Sequence, residues 1–199
     1  MKVLHRFPLY VLSALTIAFS SCESEDPIQE NDGEVITDVT LTFQELDGSN
    51  NPVGTPFSFK ASDPEGIETG ATPTVEDVVL TKGKKYRMSI EVYNSIAGED
   101  ITEEILEEAD EHQFFFLGSA FTSNALQIAY DDPSGELIGL RNIVTVSSSP
   151  GTNNALIQVI LRHDLDKDYP GATNPNFQTY VQAGGETDLD ITFPLVIND

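Results

Sequence analysis

Two histidines stand where the chain changes character. His112 follows Glu107, Glu108, Asp110 and Glu111, and His163 precedes Asp164, Asp166 and Asp168. Imidazole nitrogen together with carboxylate oxygen is a donor set for zinc, copper or iron as a divalent ion. Each histidine falls at one end of an expected strand, so the two can meet at one rim of a β structure. The candidate metal ligands are therefore His112, His163, Glu111 and Asp164. The competing reading is that each ring is a hydrogen-bonded rim residue. Asp164, Asp166 and Asp168 also alternate as in a calcium loop, but such a loop wants glycine at its sixth position and glutamate at its twelfth. Here Gly171 comes two places late and Pro175 holds the twelfth position, so a solvated turn is the better reading.

Other chemistry is scarce. The patterns GxSxG, SxxK, HExxH and GxGxxG are all missing from the sequence. Paired carboxylates can hydrolyse glycosides, but with 33 acidic residues in 199 such pairs arise by chance. The expectation is a protein that is not an enzyme. The formal net charge of −23 leaves no basic footprint for nucleic acid and no polybasic grip on anionic lipid. An acidic surface of this kind keeps a protein dispersed and repels anionic ligands.

The single cysteine, Cys22, excludes an intramolecular disulfide and a CxxC knuckle. Met1, Lys2 and Arg6 open the chain, and an apolar run from Phe7 to Phe19 follows, shorter than the roughly 20 residues of a membrane span. Ser20, Ser21 and Cys22 come next. A basic start, a short apolar stretch and small residues read as a signal peptide over residues 1–21. The ending resembles a bacterial lipobox, in which the cysteine thiol is lipidated and the leader is cut before it. The alternative is an ordinary secretory leader with Cys22 as a free thiol. Lipidation explains the odd cysteine, and several acyl chains give stable anchoring. Loss of Lys2 and Arg6 with the leader leaves 8 basic against 33 acidic residues, a net charge near −25. Residues 22–34 carry the cysteine and an acidic stretch whose one sizeable apolar residue is Ile28, which reads as a flexible tether. An acidic run in this place also resembles the surface-export signal of Bacteroidetes lipoproteins.

Residues 35–199 must position the histidines. Val35, Thr37, Val39, Leu41 and Phe43 share one face and Ile36, Asp38, Thr40, Thr42 and Gln44 the other, and Tyr86, Met88, Ile90 and Val92 alternate with Arg87, Ser89, Glu91 and Tyr93. Period two marks a strand with one buried face. Ile157, Val159, Leu161 and His163 share a face, and Leu189, Ile191, Phe193, Leu195 and Ile197 alternate with Asp188, Asp190, Thr192 and Pro194. Lys82-Gly83-Lys84 reads as a hairpin turn. Ile101, Ile105, Leu106 and Ala109 fall at helical spacing behind Asp100, a suitable N-cap, so one helix is expected over 101–110. Its far end is crowded with Glu107, Glu108, Asp110 and Glu111, at the pole where cations are favoured. The long connection 174–185 carries Phe177 and Tyr180, aromatics able to contact a partner or to fold back on the core. About nine strands and one short helix argue an all-β, antiparallel, immunoglobulin-like β-sandwich.

The stretch from Ile101 through His112 to Phe115, with Leu161-Arg162-His163 and Ala183-Gly184-Gly185-Glu186-Thr187-Asp188, resembles a family of small flavobacterial lipoproteins of the Bacteroidetes outer membrane. Members are often labelled type 1 periplasmic binding fold proteins. That label names a two-lobed α/β architecture, whereas the residues here read as one all-β domain, so no ligand or reaction is carried over. The resemblance implies a lipoprotein anchored to the outer membrane, facing periplasm or cell surface, in bacteria that use many nutrient-import receptors. Together these readings lead to a lipid-anchored, non-enzymatic accessory protein that captures or delivers a divalent metal. The alternative is an interaction module that docks on an outer-membrane import receptor or a carbohydrate through Phe177 and Tyr180.

Overall fold

Alternating apolar residues become ten strands among the residues described by the computed structural model, 35–69, 72–133 and 135–199. The leader, Cys22 and the tether expected over 1–34 lie outside the described residues. The strands are β1 (Asp38–Leu46), β2 (Phe57–Ser62), β3 (Thr74–Val75), β4 (Val78–Thr81), β5 (Lys85–Tyr93), β6 (Gln113–Leu117), β7 (Leu126–Tyr130), β8 (Arg141–Val146), β9 (Asn154–His163) and β10 (Glu186–Asn198). One sheet has the order β3-β2-β1-β5-β8-β7 and the other β4-β10-β9-β6. Their inner faces share one core. Val39, Leu41, Phe43, Met88 and Ile90 come from the first sheet, and Phe114, Phe116, Val159, Leu161 and Phe193 from the second. This is the expected all-β sandwich.

The pairing departs from expectation in one place. Lys82-Gly83-Lys84 makes a tight turn, with Gly83 at φ +72° and Lys84 N–H donating to Thr81 C=O. It is not a hairpin turn. β4 runs parallel to β10 in the second sheet, while β5 lies antiparallel to β1 in the first, so the turn carries the chain between layers. The β4 ladder begins at Leu195, so Pro194, which has no N–H to donate, lies just beyond it. At the other end of the chain, Val35 is exposed and Ile36 is buried. The alternation that buries Val39, Leu41 and Phe43 does not extend back to residue 35.

α1 (Ile101–Glu107) is three residues shorter than expected. Asp100 caps it by accepting from Thr102 N–H. Ile101 and Ile105 point into the core, but Leu106, counted with them at helical spacing, is 53% exposed. A further helical turn, α2 (Ser119–Thr122), follows β6.

β6 is buried along its whole length, because its two faces meet two cores. Phe114 and Phe116 face the inter-sheet core, while Phe115 and Leu117 meet a second cluster with Ile160, Leu165 and Ala183. The strap 164–185 supplies that outer cover. Pro175 C=O accepts from Phe116 N–H, and Asn176 Nδ2 donates to Phe116 C=O. These bonds cover the edge of β6, which would otherwise offer unpaired backbone groups to another strand.

Truncating Ile105 to alanine removes a fully buried side chain and is expected to destabilise the fold by about 2–5 kcal/mol. Leu106→Ala should stay within about 0.5 kcal/mol. Urea unfolding of the two variants reads the difference, and equal effects would place α1 the wrong way round.

Candidate functional site

The two histidines do meet. β6 and β9 pair antiparallel with Gln113 opposite Arg162. One step further along that register sets His112 beside His163 at the rim of the second sheet. Their rings stack, with centroids 4.4 Å apart and planes inclined by 7°. His112 has no exposed surface, whereas 14% of the His163 side chain remains open.

Carboxylates surround the stack. Glu111 Oε2 lies 3.4 Å from His163 Nε2, and Asp164 Oδ1 lies 3.9 Å from the same atom. His112 Nδ1 stands 3.3 Å from Glu108 C=O and 3.8 Å from Glu108 Oε2. The structure thus brings together all four sequence-derived ligands, with a shift in grouping. Glu111, His163 and Asp164 can offer donor atoms within 4.8 Å of one another, and so can Glu108, His112 and His163. Glu108 came to attention in the sequence only as part of an acidic run.

A second residue was missed. Asp188 alternates with inward apolar residues, which reads as an outward side chain. In the structure only 7% of that side chain is exposed, and Oδ2 lies 3.8 Å from His112 Nε2. The cause is a β-bulge. Thr187 pairs with Arg162 and Leu189 with Leu161, so Asp188 is the extra residue. A bulge breaks the alternation and re-aims the side chain it carries. The sequence offered no signal for it beyond Gly184-Gly185 just upstream.

The rim is held by a buried cation. Arg162 is 4% exposed, and its guanidinium donates to Thr187 Oγ1 and to the carbonyls of Gly184 and Gly185. It also lies 5.6 Å from the centre of the Tyr180 ring. Gly185 sits at φ +70°, and a Cβ there would come 2.0 Å from His163 C=O. Only glycine lets the strap close this tightly on the end of β9. The other anchor is Lys167, whose ammonium donates to Ala109 C=O just past α1. No cation stands in the last turn of that helix, so the strap brings one from far along the chain.

Phe177 and Tyr180 lie in this strap. Both are half-buried, and Tyr180 stacks on Phe115 with centroids 5.9 Å apart, while Phe177 meets Phe115 at 6.2 Å. A cleft of about 430 Å³ lies elsewhere. It lies between α1 and the first sheet and is lined by Lys60, Glu91, Tyr93, Asp100, Glu103 and Leu106, with no histidine.

Burial shapes the charges at the rim. It holds His112 below its ordinary value of 6.5, and the neighbouring His163 adds to the effect. The contact with Glu108 C=O and the carboxylates of Asp188 and Glu108 pull the other way. Burial raises Asp188 above its usual 3.8, against the opposing influence of His163 and His112. Two charged rings 4.4 Å apart would repel by about 4 kcal/mol at an effective dielectric near 20.

Comparison of the chain with models of known protein families, with curated proteins and with solved structures found no match. No helix among the described residues is long and apolar enough to cross a membrane.

A lowered His112 has a definite consequence for stability. Below 6.5 the unfolded chain binds a proton that the folded rim resists. The contribution is therefore complete above 6.5 and is lost as pH falls through the lowered folded value; Asp188, being raised, acts in the opposite sense. Urea midpoints measured at about pH 8 and about pH 5 should fall on acidification, and His112→Gln should shrink that fall. An unchanged fall in the variant would assign the acid sensitivity to other groups.

Proposed function

We propose that this protein is a lipid-anchored, non-enzymatic accessory lipoprotein of the outer membrane that captures or delivers a divalent metal for uptake. The observation that carries the metal reading is the rim itself. Two histidines 51 residues apart in sequence are stacked among four carboxylates. Neutral imidazole with carboxylate suits zinc, iron or copper as divalent ions, and depressing the His112 proton affinity keeps that ring neutral and able to ligate. Donor atoms of Glu108, His112 and His163 lie within 4.8 Å of one another. One ion reaches both imidazoles once the more open His163 turns about its side-chain bonds. The acidic surface, net −23 before any processing, raises the local concentration of cations.

The placement rests on the sequence. A basic start, an apolar run and Ser20-Ser21-Cys22 support lipidation of Cys22 and a membrane attachment through that lipid. A partner of the import-receptor kind follows from the resemblance to Bacteroidetes lipoproteins. The alternative, a module docking on a receptor or carbohydrate, drew on Phe177 and Tyr180. One face of Tyr180 is engaged by Phe115, and the Arg162 guanidinium also lies against that ring.

Two measurements test the proposal. Zinc titrated calorimetrically into the purified protein should bind at micromolar concentration, and the His112→Ala, His163→Ala double variant should give no heat. Absence of heat from the wild type with zinc, copper and iron alike would remove the metal and leave the docking reading. Mass spectrometry of the native protein should find an acylated Cys22 at the mature N-terminus. A bare cysteine would withdraw the anchor.

A further inference from the structure

The geometry points to Asp188 as a ligand of the divalent ion, paired with His112 on the inner side of the rim. This inference rests on the metal reading above and goes beyond it, because Asp188 belongs to neither carboxylate group that surrounds His163 from outside. Two atoms carry it. His112 Nε2 and Asp188 Oδ2 are both buried, and neither has a hydrogen-bond partner among the described residues. Burying one such atom is costly, and burying two on the same spot needs an explanation.

They face each other at 3.8 Å. That is beyond the reach of a hydrogen bond. It is close to the separation of two ligands on one ion: with metal–ligand bonds of about 2.1 Å, neighbouring donors in a tetrahedral site stand about 3.4 Å apart. A closing of a few tenths of an ångström separates the structure from that arrangement. The other nitrogen of His112 is turned toward Glu108 C=O. A contact of this kind fixes which nitrogen of a metal-binding histidine carries the proton and leaves the second free to ligate. The free nitrogen is Nε2, the one directed at Asp188.

The backbone supports the same assignment. Asp188 is the extra residue of the bulge between Thr187 and Leu189, and bulges recur where a strand must re-aim a side chain at a functional centre. Arg162 holds Thr187 on one side of it, and the Arg162 Nε is itself without a partner. Arg162 does not supply the missing bond to Oδ2. Imidazole with carboxylate, and no sulfur, selects a borderline divalent ion such as zinc or iron(II) over copper(I).

The test uses the purified protein, zinc chloride and three variants. Asp188→Asn should weaken zinc binding at least tenfold while leaving the metal-free melting temperature equal to or above that of the wild type, since a buried carboxylate charge is removed and the side-chain volume is kept. Asp190→Asn, on the exposed face next along β10, should bind as the wild type does. Wild-type affinity in Asp188→Asn would overturn the assignment and leave the histidine site standing. No zinc binding in the wild type would overturn the metal reading and this inference with it. Should Asp188→Asn fail to fold, Asp188→Cys answers the same question with cobalt(II). A thiolate-to-cobalt absorption band absent from the wild type supports residue 188 as a ligand, and its absence overturns it.

Discussion

Arg162 is the buried cation on which the rim depends. It projects from β9 toward the outer cluster, where burial would be unfavourable without partners. It satisfies itself on Thr187 and on the carbonyls of Gly184 and Gly185, and so pins the end of the strap to the start of β10. That closure requires Gly185 to lie against His163, which fixes the end of β9. From the same point the bulge turns Asp188 toward His112. One side chain thus ties the end of β9, which carries His163, to the start of β10, which carries Asp188.

The strap solves two further problems. The second sheet is the smaller one, and its outer face at β6 and β9 is apolar: Phe115, Leu117 and Ile160 would otherwise meet water. Covering them with Leu165, Ala183 and the rings of Tyr169, Phe177 and Tyr180 adds a second, smaller core. The strap also places Lys167 against the carbonyl of Ala109. Its ammonium is half-buried, and burial lowers its proton affinity, while Glu136, Asp132 and Asp110 oppose that effect. In a chain with 33 acids and 10 bases, each basic residue placed inside the fold serves several acids at once.

Acid excess gives the histidine stack its character. A surface this negative draws protons and metal ions alike toward the rim, yet His112 is too deeply buried to charge readily. The outer carboxylates, Glu111 and Asp164, meet the more open His163, while Asp188 meets the closed His112. The rim is therefore graded from a solvated acidic mouth to an inner pair of atoms that lack partners. That gradient, rather than the number of carboxylates, distinguishes this place on an acidic surface.

Much of the sandwich was legible in the sequence. Period-two alternation specifies which face of a half-buried strand is apolar, and β5 and β10 fall within two residues of where that pattern puts them. The same local reasoning put both histidines at strand ends. Sheet assignment was not legible: Lys82-Gly83-Lys84 encodes a tight turn, but whether the strands it joins pair with each other is decided by what lies beside them, and β10 claims β4. Leu106 shows the same limit, since helical spacing defines a stripe wider than the part the sheet covers. The sequence by itself determined strand, helix and acidic surface, because those depend on neighbours a few residues away. Only tertiary structure decided that His112 and His163 stack and that Asp188 turns inward, because register, a bulge and a buried arginine act between residues that are distant along the chain.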